Sequence, residues 1–346
     1  MQTVEGGCAA VKRGSRGPYT QRMAKACWLL RVVVGCALLL VGSEPLWAWG
    51  HDGHSMINRV AAENLPADVP AFLRNGNALD VLGWLAPEAD RWREGARGEL
   101  VGAPDHFIDM EWAELAEVPC SAGAADCPPS GKMLPPRRYD FIRALAAAQA
   151  KNPGVPLTAE KVGLLPWQTA EIYERLRVDF RQYRQLVEAN GDLAPVETAI
   201  LYDAGWLGHF AGDGSQPLHT TIQYNGWTGP NPNGYTTEHK IHSEFESAYV
   251  GANIKPADFA PLVKAAAPVK IDDEWTQYLD YLQHSNTMVE KVYELEKAGG
   301  FTGAGTAEAK AFTDERLAAG AIELRDLIYS AWVHSADPVE VYHGPQ

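Results

Sequence analysis

Two helix-spaced pairs of histidine and acid, His209 with Asp213 and His242 with Glu246, constrain what this chain can fold into more than any other feature. Positions i and i+4 of a helix lie one turn apart on the same face, so each pair aims an imidazole nitrogen and a carboxylate oxygen at one point. Such pairs need regular helices held at fixed separation around a shared interior. The remaining sequence agrees, because after residue 48 no stretch sustains strand alternation while several show helical spacing with strong helix formers. An all-α fold is predicted, a single-domain multi-helix bundle over residues 49–346. Its helices are expected over 55–64, 70–74, 137–151, 159–162, 167–189, 196–210, 239–249, 274–297 and 306–334. With 46% hydrophobic and 21% charged residues, the chain can bury a sizeable core and does not read as disordered.

Residues 1–48 differ from the rest. They carry six Lys/Arg and then an apolar run, Val32 to Val41, too short to span a bilayer and followed by the small residue Ala48. This reads as a signal peptide removed near Ala48, giving a secreted or periplasmic protein, and Met23 is a candidate alternative start. The alternatives are a membrane anchor or a lipid attached at Cys36; Arg31, interrupting the stretch, counts against both. Without this segment and its two acids, Glu5 and Glu44, the formal charge moves from −14 to −18. So acidic a chain repels polyanions at long range, which excludes binding driven by basic patches; a phosphate ester substrate would need bound cations to attract it. Of five cysteines, only Cys120 and Cys127 lie beyond the leader, and in an exported chain they fit one local disulfide.

The histidines are unevenly placed. Imidazole nitrogen with carboxylate oxygen suits zinc, and two helices bearing such pairs suggest two ions. His219 falls between them, Gly212 and Gly214 would let neighbouring backbone approach, and Asp90 and His106 further upstream would complete a cluster. A single pair of this kind is more often a surface helix pair or a satisfied core histidine than a metal site; four such elements in one chain favour a cluster. Cleavage after Ala48 would leave Trp49 with a free amine, which together with its own carbonyl can chelate a metal, and His54 could join them. The other reading makes Trp49 a buried anchor and His51 or His54 a helix-start residue.

In order, Trp49-Gly50-x-x-Gly53-His54, Ala89-Asp90, His106-Phe107-Ile108-Asp109, His209-x-x-x-Asp213-x-x-Gln216-Pro217-Leu218-His219 and His242-x-x-x-Glu246 resemble a superfamily. It joins the zinc-dependent single-strand nucleases of fungi and plants with the bacterial zinc-dependent phospholipases C. The resemblance spans nearly all of residues 49–346 and implies three Zn2+ ions in an all-helical, trinuclear cleft. It places Asp90, His106 and His209 on one ion, His54 with the amine and carbonyl of Trp49 on its partner, Asp213 bridging the two, and His219, His242 and Glu246 on the third. Glu246 matches the phospholipase branch, since the nuclease branch usually has aspartate there. The opening motif, the His106 block and the interval from His219 to His242 look more like the nuclease branch, in which Arg93 matches a phosphate-contacting arginine and Phe107 a base-stacking aromatic.

What this implies is a secreted zinc-dependent phosphodiesterase, an endonuclease/3'-nucleotidase that cuts single-stranded DNA and RNA with a metal-activated hydroxide. Arg93 would stabilise charge on the phosphoryl oxygens, Asp90 would orient or deprotonate the water, and Phe107 would stack on a base unless it is core. Tyr224, Trp227 and Tyr235 would add to a substrate wall or act as packing anchors. The enzyme alternative is a phospholipase C acting on phosphatidylcholine-like lipids, for which no amphipathic basic helix is present. The non-enzyme alternative is a secreted zinc-stabilised binding protein. No Gly-x-Ser-x-Gly elbow follows residue 48, and no Gly-x-x-x-x-Gly-Lys loop occurs. No stable protein partner and no membrane span after the leader are expected.

Overall fold

The computed structural model, which describes residues 49–120 and 127–339, is built of helices apart from one two-stranded ribbon and isolated bridges. In chain order the main helices are α1 (Gly50–Glu63), α2 (Gly76–Leu85), α3 (Glu88–Trp92), α4 (Ala96–Gly102), α5 (Arg138–Gln149), α6 (Leu165–Glu188), α7 (Ala194–Ser215), α8 (Pro256–Ala265), α9 (Glu274–Asn286), α10 (Val289–Lys297) and α11 (Ala307–His334). Strand β1 (Val118–Pro119) pairs antiparallel with β2 (Lys132–Met133), Val118 opposite Met133. The adjoining Cys120 and Cys127 are disulfide-bonded, with Cα atoms 5.8 Å apart. The expected leader and its cleavage point at Ala48 lie outside the described residues.

Helix α7 sits at the centre, packed by α1, α2, α6, α9 and α11. From Ala204 to Ser215 every residue of it is buried, as a helix enclosed on all sides requires. A glycine inside a helix costs about 1 kcal/mol, so several of them need a packing reason. A Cβ on Gly205 would meet Leu85 Cβ at 2.6 Å, one on Gly208 would meet Asn58 Oδ1 at 2.0 Å, and one on Gly212 would meet His54 Nδ1 at 2.9 Å. This column of bare backbone is what lets α1 and α2 seat against α7. Buried Asn58 then ties the three helices, its Nδ2 donating to the carbonyls of Leu82 (3.0 Å) and Gly205 (2.8 Å).

Local capping sets several boundaries. Asn75, Asp273 and Thr306 each accept a bond from the backbone N–H three residues on, starting α2, α9 and α11. At the far end of α8, buried Arg325 donates to the carbonyls of Val263, Ala266 and Ala267, satisfying groups that a helix end leaves open.

The all-α expectation holds, with several boundaries shifted. The first helix starts at Gly50 rather than residue 55, and α7 runs to Ser215, five residues beyond the expected end. The expected helix over 70–74 is a 3-10 turn, Ala71–Arg74. The single long helix expected over 274–297 is two, α9 and α10. Four of these helices fall outside the expected ranges: α2, which contains Gly76 and Gly83; the short α3 and α4; and α8, which begins with Pro256 and contains Pro261. The segment around His242 forms a short α-turn, Ile241–Ser243, then a π-turn, Glu244–Tyr249, then Val250–Asn253. No helix among the described residues is long and apolar enough to cross a membrane.

Candidate metal centre

The end of α7 places His209 and Asp213 one turn apart in the interior, with Asp213 fully buried. Neighbouring segments complete the shell. His54 comes from α1, Asp90 from α3, and His106 from the 3-10 turn Ala103–His106; His219 comes from the turn Pro217–His219 that follows α7. His242 and Glu246 come from the helical segment broken by the π-turn, an irregularity of the kind that recurs at functional sites.

The two oxygens of Asp213 face different histidines. Oδ2 lies 3.2 Å from His106 Nδ1 and 3.4 Å from His209 Nε2. Oδ1 lies 3.4 Å from His54 Nε2 and 3.8 Å from His219 Nδ1. Asp90 Oδ1 stands 3.7 Å from His106 Nδ1 and 3.9 Å from His209 Nε2. Beside them, Glu246 Oε2 is 3.1 Å from His242 Nε2 and 3.5 Å from His219 Nε2. Three groups of buried residues could therefore hold a metal ion: His54, Asp90 and His209; His106, His209 and Asp213; His219, His242 and Glu246. The third is the set that the resemblance implies. In the other two the histidines interleave, the rings of His54 and His209 stacking 4.0 Å apart.

The outer hydrogen bonds orient these rings. Nδ1 of His209 pairs with the carbonyl of Ala86 at 2.9 Å, that of His219 with the carbonyl of His106 at 2.6 Å, and that of His242 with the carbonyl of Tyr224 at 3.0 Å. A carbonyl partner at Nδ1 turns Nε2 inward, where that of His209 meets His106 Nδ1 at 2.9 Å and that of His242 meets Glu246, the ring orientation usual for metal-binding imidazole. Gln216 Nε2 donates to Glu246 Oε2 at 2.9 Å and fixes that carboxylate. Asp213 Oδ1 and Oδ2, Asp90 Oδ2, Glu246 Oε1 and His219 Nε2 are buried with no hydrogen-bond partner among the described residues.

The electrostatics point the same way. Burial drives Asp213 well above the usual carboxylate range, and the nearby Asp90 and Glu246 add to the rise. Burial also pushes Asp90 up to about 8, against the pull of Arg93. His106 and His209 are held well below the usual imidazole range, chiefly by burial. Burial would raise Glu246 too, but His242 and His219 outweigh it and bring its carboxyl down to about 2. Around Asp213, carboxyl groups that resist ionisation face imidazoles that resist protonation, a frustration that a divalent cation removes, whereas Glu246 and His242 hold each other charged. The spacing fits as well. Tetrahedral bonds of about 2.0–2.1 Å put donor atoms roughly 3.3 Å apart, close to the separations found here.

No family model and no curated protein gives a significant match to this chain.

Trp49 is fully buried beneath α7, its indole Nε1 donating to Gly212 O at 2.7 Å and Ser215 Oγ at 2.9 Å. It is thus a packing anchor, and its carbonyl accepts the helical bond from Gly53 N at 3.0 Å. Arg93 follows Asp90 with its NH1 3.5 Å from Asp90 Oδ1, while its Nε and NH2 are held by Glu99 at 2.7 and 3.2 Å. Glu99 was not anticipated, because it lies on α4, across the turn that separates that helix from Arg93. Phe107 is half-buried against the backbone of Gly163, where φ is +91° and any Cβ would clash with the Phe107 carbonyl. Of the loop aromatics, Tyr235 is buried against Trp227 and Tyr293, and so is packing. Tyr224 is exposed beside His242, ring centres 6.2 Å apart. Gly212 and Gly214 admit side chains rather than backbone, His54 at the first and the Tyr278 hydroxyl at the second.

Proposed function

We propose that this protein is a zinc-dependent phosphodiesterase acting on single-stranded nucleic acid, with Asp213 joining two metal positions and His219, His242 and Glu246 holding a third. The observation that carries the reading is Asp213 itself. A fully buried carboxyl group whose two oxygens face four imidazoles, neither of them with a hydrogen-bond partner among the described residues, is costly to hold unless cations share it. The donor set of imidazole nitrogen and carboxylate oxygen suits zinc among divalent ions. When bound, the ions supply Lewis acidity toward the phosphoryl group and the attacking water.

The chain's own residues supply the rest. Asp90 would orient that water and take its proton, and Arg93, 3.5 Å from it, would meet the charge that builds on the phosphoryl oxygens during in-line displacement. Phe107 offers a half-exposed ring for stacking on a base. The motif order from Trp49 to Glu246 supports the nuclease branch, and Glu246 keeps a phospholipase C reading in contention.

The test is to assay the mature protein on single-stranded DNA, RNA and phosphatidylcholine, before and after chelation. Chelator-sensitive cleavage of the nucleic acids is expected. Release of phosphocholine without nuclease activity would move the protein to the lipid substrate, and no hydrolysis of any of them would leave a metal-stabilised binding protein.

A further inference from the structure

Two fixed, solvent-facing indole rings flank Asp90 in the chain, Trp84 on α2 and Trp92 on α3. Trp92 is 44% exposed and Trp84 is 60% exposed, unusual for rings of that size. Neither is loose. Trp92 Nε1 donates to Glu88 Oε1 at 3.0 Å, and its ring meets Trp206 edge-on at 5.0 Å. Glu88 also pairs with Arg91, whose guanidinium lies over the Trp84 ring at 4.0 Å and donates to the Trp84 carbonyl. At the other end the Arg175 guanidinium lies 5.5 Å from the Trp206 ring. Ring contacts connect Trp92 to the centre, from Trp206 to Phe210 at 6.1 Å and from Phe210 to the ring of His106 at 5.5 Å.

An exposed indole held by neighbours on one side has an open face whose ordering entropy is already spent, which suits it to stack on a flat ligand. Arg91, ion-paired with Glu88, and Arg175 put guanidinium groups beside the rings of a chain with net charge −14, where a polyanion would otherwise be repelled. Alternating stacking faces and cations is how proteins hold single strands without reading sequence. We propose that Trp92 and Trp84 form a stacking platform for successive bases of a single strand beyond the nucleotide being cleaved, with Arg91 and Arg175 alongside its phosphates. This rests on the nuclease reading above. It deepens that reading by making the enzyme prefer long single strands to dinucleotides. Exposed Leu100 and Val101 on α4 make a lipid surface the competing occupant.

The test uses the metal-loaded protein and Trp84→Ala, with Trp84→Phe as the variant that keeps an aromatic face. Binding of a hydrolysis-resistant phosphorothioate (dT)12 is measured by anisotropy, and turnover is measured on (dT)12 and on a thymidine dinucleotide. The platform predicts that Trp84→Ala weakens (dT)12 binding by about fivefold or more. KM for (dT)12 should rise in proportion, Trp84→Phe should keep most of the affinity, and dinucleotide turnover should not change. No loss of (dT)12 binding, or an equal loss on the dinucleotide, overturns the platform while leaving the nuclease reading intact. Loss of binding to phosphatidylcholine vesicles with (dT)12 binding unchanged overturns it in favour of a lipid surface. Tight (dT)12 binding that depends on Trp84, with no cleavage of any nucleic acid, supports the platform and refutes the hydrolase reading.

Discussion

Gly212 of α7 lies directly against the imidazole of His54, so that a Cβ there would stand 2.9 Å from Nδ1. The centre thus depends on a missing side chain as much as on those present. Gly212→Ala should push His54 off its position, destabilise the fold by about 1–3 kcal/mol and lower metal occupancy. Gly208→Ala, one turn earlier, strikes Asn58 instead and should destabilise comparably with less effect on metal. Thermal denaturation together with metal analysis of both variants checks this, and equal metal loss in the two would contradict it.

Gln216 holds Glu246 through a 2.9 Å hydrogen bond. Replacing such a supporting group costs roughly 10–100-fold in metal affinity. Gln216→Leu should therefore weaken one metal site selectively, so that competition with a graded chelator series releases one ion early and spares the others. Release curves identical to wild type would mean that Gln216 serves only to cap the turn at Pro217.

Because the ligands come from α1, α3, α7 and the segment 241–253, metal binding should stabilise the whole bundle. Ligand at about a hundredfold over its dissociation constant adds about 2.7 kcal/mol. Chelation should accordingly lower Tm by several degrees, and added zinc should restore it. A Tm indifferent to chelator would argue that the centre holds no structural ion.

Glu323 on α11 is a buried acid outside the candidate ligand set. Burial pushes its carboxyl up to about 8, with the Gln277 hydrogen bond opposing the rise and Asp326 adding to it. A raised acid favours the folded state while it keeps its proton. Its contribution is complete below the ordinary value of 4.5 and is lost as pH climbs toward about 8. Glu323→Gln should then raise Tm by roughly 2–4 °C over wild type at pH 9 and change it little at pH 5. A difference that is the same at both pH values would contradict this.

The legible part of the fold was the part written in periodicity. α6, α7 and α11 follow apolar spacing and lie close to their expected positions. α2 and α8 escaped notice because their glycines and prolines imitate loops, whereas at Gly83 and Gly205 the bare backbone serves packing and at Pro256 the ring starts a helix. The ligand residues were legible from i,i+4 spacing and motif order, and the structure brings His54, Asp90, His106, His209, Asp213, His219, His242 and Glu246 together. What holds them was not, since the carbonyls of Ala86, His106 and Tyr224 and the Glu99 grip on Arg93 come from chain crossings that no local spacing encodes.

The most direct test of the account is the metal content of the purified protein beginning at Trp49, measured beside Asp213→Asn after dialysis. Wild type should retain about three zinc ions per chain and the variant markedly fewer, with the site of His219, His242 and Glu246 the most persistent. A wild-type protein that retains no metal, or a variant that retains as much as wild type, would contradict the claim that Asp213 joins two metal positions.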